Sequence, residues 1–262
     1  MNIFVLVKQV PDTETKVNPN GDKSFIDLSS IKWIMNPYDE FAVEQALLLK
    51  GQETSSTVTA VRVGATKDTE ALRTAMAMGA DESILVETDD ILDSFMTAKA
   101  IKGAIEKSGK SPDLILCGKQ AIDDDCLQVP QVLAQMMELP SVTVVVGFEY
   151  KDGELSLKRE VEGGSLEVYK VKTPVVVACN KGLNTPRYAS LPGIMKAKKK
   201  PLTKLTLSDV GVTAEDRRIK YSDFRLPPEK PPGKKFEAME DDKIAAVVKE
   251  VVGLLRNEAK VL

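Results

Sequence analysis

Leu114-Ile115-Leu116-Cys117-Gly118-Lys119-Gln120-Ala121-Ile122-Asp123-Asp124-Asp125-Cys126 is the stretch from which the fold is read. An uninterrupted apolar run leads into a glycine, as a strand buried on both faces does. A polar loop with three aspartates follows. Asp125 to Met137 then takes helical spacing, with Pro130 near the first turn. The same strand–loop–helix unit recurs upstream. Ile3 to Val7 is a continuous apolar run, and Tyr38 to Lys50 is helical, with Gly51 at its end. Thr57 to Val63 is a second strand, Thr69 to Met78 a helix closed by Gly79, Ser83 to Val86 a third strand, and Ile91 to Lys107 a long helix. This alternation predicts right-handed βαβ crossovers and a doubly wound, mostly parallel α/β sheet. Ligands in such sheets bind beyond the carboxyl ends of the strands, at the switch point. The loops after the first and fourth strands are therefore the places to look.

The pattern changes after residue 140. Val142 to Tyr150, Leu155 to Val161, Leu166 to Val171 and Val175 to Cys179 read as strands, with Lys151-Asp152-Gly153 and Gly163-Gly164 as turns. They are expected as antiparallel additions to the sheet. From Lys181 onward core signal is sparse. Residues 201–236, with Pro227-Pro228 and Pro231-Pro232, read as an extended arm. Asp241 to Arg256 resumes helical spacing with a strongly apolar face. Such a helix needs a surface to cover, either on its own domain or, since an arm of this length can leave the domain, on another chain. The expected organisation is an α/β domain over 1–180, a recognition loop over 181–200, and a C-terminal arm and helix over 201–262.

Composition narrows the chemistry. The 262 residues contain no histidine. That excludes Ser-His-Asp and Cys-His nucleophile activation and removes the commonest general base and metal ligand. No catalytic residue and no metal site are expected. The formal net charge of −3 gives no global attraction for nucleic acid. Three cysteines, far apart and odd in number, fit a reducing compartment. No signal-peptide pattern opens the chain, and no apolar run approaches the eighteen residues a membrane helix needs. A cytoplasmic location is expected.

Three segments can carry ligand chemistry. Gly118 to Cys126 precedes a helix, so its glycine permits close backbone approach and the helix N–H groups suit a phosphate. The aspartates suit N-capping and ribose hydroxyls. The segment fits neither GxGxxG nor GxxxxGK[ST], and an ordinary capped loop reads the same way. Asn36-Pro37-Tyr38-Asp39 opens a helix, with Asn36 as cap and Pro37 at the first helical position. Lys8-Gln9-Val10-Pro11-Asp12 follows the first strand. A fourth segment, Asn184 to Lys200, joins Tyr188, Leu191, Ile194 and Met195 to Lys196, Lys198, Lys199 and Lys200. Those apolar groups would be wasteful on a solvated loop. Leu191 before Pro192 reads as a knob, and the lysines as a rim that steers an acidic partner. A loop folded on its own core is the alternative.

In this order and spacing the chain resembles the β subunit of electron-transfer flavoprotein over nearly its whole length. The resemblance rests on Val7 to Asp12, Asn36 to Asp39, Ala75 to Asp81, Gly118 to Asp125, Glu162-Gly163-Gly164, and Pro186 to Pro192 with the following lysines. It implies an adenine-nucleotide α-hydrolase-like fold and an obligate heterodimer with an α subunit, on which 201–262 would pack. One FAD would be held mainly by that α subunit, and AMP would be buried in this chain. The AMP site implied is Leu6, Lys8, Asn36, Pro37, Tyr38, Asp39, Val63 and the stretch Gly118, Lys119, Gln120, Ala121, Ile122, Asp123, Asp124, Asp125, Cys126, Leu127, Gln128 and Val129. The recognition loop implied runs from about Leu183 to Lys200, with Leu191 as anchor. Electrons would come from flavin dehydrogenases, such as acyl-CoA dehydrogenases, and pass to a quinone-linked oxidoreductase.

Two departures from the family pattern matter. Some members place a tyrosine against the flavin where this chain has Thr13. A second group of the family bifurcates electrons and holds a second FAD in place of AMP. It carries Gly-Asp-Thr at the positions of Asp124, Asp125 and Cys126. The larger side chains here favour AMP, whereas Gln128-Val129 agrees with the bifurcating pattern.

Overall fold

The computed structural model describes every residue except Lys67, Asp68, Pro231 and Met239, and omits the side chains of Asp241 and Asp242. Of the proline-rich stretch, Pro231 thus lies outside the described residues. The chain forms two compact units, 1–224 and 225–262.

The first unit opens with β1 (Asn2–Leu6), the short β2 (Gln9–Pro11) and β3 (Trp33–Met35), and then α1 (Pro37–Gln52). It continues through β4 (Thr57–Gly64), α2 (Glu70–Met78), β5 (Glu82–Glu87), α3 (Ser94–Lys107), β6 (Leu114–Gly118) and α4 (Val129–Met136). After these come β7 (Ser141–Lys151), β8 (Glu154–Glu160), β9 (Leu166–Lys172), β10 (Val175–Cys179), α5 (Leu191–Ala197) and β11 (Leu202–Thr206). Nine strands form one sheet in the order β11-β5-β4-β1-β6-β10-β7-β8-β9, and β2 pairs with β3 separately.

β1 shows why the sheet is doubly wound. Its side chains alternate between faces. Ile3 and Val5 join a core with Ala42, Val43 and Leu47 of α1 and Leu72 of α2. Phe4 and Leu6 join the opposite core with Met96 and Ile101 of α3 and Leu133 of α4. Both faces are therefore covered, and a continuous apolar strand results. β1 pairs in parallel with β4 on one side and β6 on the other. Because β4 and β6 lie on opposite sides of β1, the winding reverses there, and the loops after β1 and β6 stand side by side at this switch point.

The structure corrects three expectations. Val175–Cys179 is not an antiparallel addition: it runs parallel between β6 and β7. Its five residues are all buried, which is the signature of a central parallel strand. Within the nine-stranded sheet the described antiparallel pairs are β7–β8 and β8–β9, the first through a tight turn at Asp152-Gly153 with both residues at positive φ.

The helix read from Asp125 begins instead at Val129, with Pro130 in its first turn as expected. Asp125 and Leu127 hold left-handed φ of 50° and 53°, which no helix tolerates.

The arm read from 201 starts at 225. Leu202–Thr206 pairs in parallel with β5, and Val210 and Val212 are buried against α3. The amides of Arg218 and Ile219 donate to Asp93 Oδ2 at 2.5 and 2.8 Å. Phe224 meets the Phe25 ring edge-on, with centroids 5.4 Å apart.

The second unit is an extended segment followed by α6 (Asp241–Asn257). Ile244, Val248, Val252 and Leu255 are exposed along α6 at three- and four-residue spacing. No described helix is long and apolar enough to cross a membrane.

Candidate nucleotide site and docking segment

Asp39 organises the crevice. It lies in the first turn of α1 and is buried. Its Oδ2 accepts from Lys8 N at 2.8 Å and its Oδ1 from Gly118 N at 2.9 Å. One carboxyl thus ties the carboxyl end of β1 to that of β6. Burial raises its pKa to about 7, against the opposing pull of those two N–H donors. Asn36, just before α1, makes a second tie. Its Nδ2 donates to Gln120 O at 2.9 Å, and its Oδ1 accepts from Ile122 N at 3.2 Å. Asn36 stands at the expected N-cap position and its carbonyl accepts from Asp39 N and Glu40 N, but its side chain makes no capping bond. It clasps the β6 loop instead.

Glycine at 118 is required by that clasp. A Cβ there would collide with Asp39 Oδ1 and come within 2.6 Å of Tyr38 Cβ.

The charged groups of the crevice are largely matched to one another. Lys8 Nζ lies 2.7 Å from Asp123 and 2.9 Å from Asp124, crossing from the first loop to the second. Desolvation would lower the Lys8 pKa, but the two aspartates outweigh it and hold it above its usual value. Lys119 stands over the Tyr38 ring, 5.1 Å from the centroid. Gln120 Nε2 donates to Asp125. Gln128 gives α4 no side-chain cap, and since Pro130 has no N–H, the first-turn donors offered to a ligand are those of Val129 and Gln131. The donor set therefore combines backbone N–H groups and Lys119 for a phosphate with carboxylates for ribose hydroxyls. That chemistry fits an adenosine monophosphate. Leu6 and Val63 belong to the same core face at the ends of β1 and β4.

The cysteines offer no nucleophile. Cys117 and Cys179 are buried, and burial pushes both thiols up. Burial also raises Cys126, at the far end of the β6 loop. Among the described residues no cluster suits a metal ion.

The Asn184 to Lys200 segment is a built surface. Asn184 Nδ2 donates to Phe41 O of α1 at 3.0 Å. Arg187 grips Glu44 of α1 with both arms of its guanidinium, Nε to Oε2 at 2.7 Å and Nη2 to Oε1 at 2.9 Å. Burial alone would raise the Glu44 carboxyl, but the Arg187 bonds outweigh it and hold it below its usual range. Sequence reading missed this pair. Its signal was a glutamate lying between Val43 and Gln45 on the buried side of α1.

Leu191 and Pro192, read as loop, open helix α5. Ser190 caps it by accepting from Gly193 N at 3.1 Å, and Pro192 occupies the first turn. Tyr188 is 98% exposed and Leu191 75%, with Ile194 and Met195 also exposed. Lys196, Lys198 and Lys199 are exposed as well. Lys200 differs: its Nζ donates to Met76 O at 2.9 Å and Ala80 O at 2.5 Å, at the end of α2.

Known proteins agree on the family. Residues 25–210 match the electron transfer flavoprotein domain family. The chain is 41% identical to the electron transfer flavoprotein subunit beta of Bacillus subtilis over the full length of both chains. It is 40% identical to that of Bradyrhizobium diazoefficiens, again over both full lengths. Against the Homo sapiens subunit it is 38% identical, covering 96% of this chain and 98% of the human one. With a doubly wound sheet and the joined β1 and β6 loops at its switch point already in view, these similarities mean that the chain belongs to the electron-transfer flavoprotein family, as a β subunit.

Proposed function

We propose that this β subunit works in a heterodimeric electron carrier with an α subunit and holds AMP in the crevice between the β1 and β6 loops. The observation that carries the reading is the Asp39 and Asn36 clasp, which fixes both loops around a donor set suited to one phosphate and one ribose. AMP bound there would stabilise the folded chain by binding it alone. FAD, held mainly by the α subunit, would supply the redox chemistry. This chain would bind and orient; it would not act as an enzyme in its own right. Acyl-CoA dehydrogenases and related flavin dehydrogenases would be the donors, meeting the α5 surface. A quinone-linked oxidoreductase would be the acceptor, and the cytoplasm the location.

The apolar stripe of α6 supports an α-subunit partner, because Ile244, Val248, Val252 and Leu255 are left exposed on it. A second FAD in place of AMP is the competing reading, favoured by Gln128-Val129. The Lys8 ion pairs with Asp123 and Asp124 argue against it, since they tie the two loops together where a second flavin would need room. Mass spectrometry of nucleotides released from the purified heterodimer separates the two. One AMP and one FAD per heterodimer are expected. Two FAD and no AMP would establish the bifurcating type, and a chain that purifies stably without an α subunit would undo the carrier reading.

A further inference from the structure

We propose that Lys200 is a positioning residue for docking: its ammonium, set on carbonyls at and just beyond the end of α2, seats α5 so that Tyr188, Leu191 and Met195 stand outward in a fixed array. This rests on the reading of α5 as the dehydrogenase-docking surface. It separates Lys200 from the lysines beside it.

Three contacts hold α5 on α2. Lys200 Nζ donates to Met76 O in the last turn of α2 and to Ala80 O just past its Gly79 cap, beside the negative end of the helix dipole. Gly193 lies directly on Ala77 O, with which a Cβ would collide. Ala197 is buried with Met76 and Ala77. The periodicity agrees: 193 and 197 face inward, while 191 and 195 face solvent. Beyond Lys200 the chain is fixed again, because Ser83 N donates to Pro201 O at 3.0 Å as β11 joins β5. Lys200 is thus the joint between a helix and a strand that are both anchored. Burial lowers its pKa, as it does for a lysine drawn off the solvent. Lys198 and Lys199, by contrast, are exposed, and exposed charges act on encounter rate and are screened by salt.

The test uses the FAD-loaded heterodimer as electron acceptor for an acyl-CoA dehydrogenase, at low and high salt. Lys200→Met is expected to raise KM for the heterodimer about tenfold at both salt concentrations with kcat retained, the size of one displaced docking contact. Amide hydrogen exchange in α5 should speed up, and Lys200→Arg should restore both readouts. Lys198→Met should raise KM only at low salt. Gly193→Ala strikes the same seat from another side and should reproduce the salt-independent loss, which covers the case of an unfolded Lys200 variant. A Lys200→Met defect that salt abolishes, or unaltered exchange in α5, would overturn the proposal. Unchanged KM in every variant, Leu191→Ala included, would overturn the docking reading itself.

Discussion

Asp39 and Gly118 are joined by a single hydrogen bond of 2.9 Å that leaves no room for a side chain at residue 118. The other oxygen of the same carboxyl holds Lys8 N. Replacing Asp39 by Asn puts an amide NH2 against one of two N–H donors. The expected cost is about 2 kcal/mol, the penalty for an unpaired buried donor. The pH response should change with it. Burial raises the folded-state pKa to about 7, above the roughly 3.9 of an unfolded aspartate. The folded chain therefore holds the proton more tightly, so this residue's contribution to stability is greatest below about pH 4 and declines toward pH 7. Urea unfolding across that range should show the slope in the native chain and lose it in Asp39→Asn.

Gly118→Ala tests the same joint from the strand side. The new methyl must displace Asp39 or Tyr38, both packed under the crevice. We expect a loss of about 1–3 kcal/mol and a larger loss of nucleotide than of secondary structure. Circular dichroism and nucleotide content measured on one preparation decide it. Retained nucleotide would mean that the two loops need no close joint.

Leu191→Ala should leave the fold and bound flavin intact, because Leu191 is exposed. Electron transfer from the dehydrogenase should fall by the equivalent of about 2 kcal/mol, as for an anchor residue. Stopped-flow reduction of the flavin provides the measurement, and native rates would remove Leu191 from the anchor role.

Glu44→Gln should loosen the base of the docking segment. The forked pair with Arg187 becomes a neutral contact, with an expected loss of roughly 1–2 kcal/mol. Hydrogen exchange should quicken at residues 184–190. Exchange that stays slow there would show that Asn184 alone is sufficient.

The sequence revealed most where one physical signal dominated. The run from Leu114 into Gly118 could only be a strand leaving a sheet, and the loops it pointed to do converge. Direction was harder to read than existence. Val175–Cys179 carried the buried-on-both-faces pattern of a parallel strand, yet its neighbours in the chain suggested a meander. The three aspartates imitated a helix start, whereas the backbone at Asp125 and Leu127 turns left-handed. Residues 202–224 read as an arm because they run into the stretch rich in Pro, Lys and Asp that continues to residue 236. They are held instead by backbone pairing to β5 and by amides bonded to Asp93, which composition does not disclose. The Arg187–Glu44 pair joins residues 143 positions apart, beyond any local pattern.

The far end of the sheet has its own consequence for handling the protein. β9 is an edge strand, with Leu166 and Val168 exposed on it. Open edges of this kind template pairing between copies, and charges along the strand are the usual defence. Here Glu167, Lys170 and Lys172 interrupt the apolar residues. These charges oppose pairing of this edge between copies, so neutralising Lys170 and Lys172 together is expected to raise aggregation, measured by light scattering.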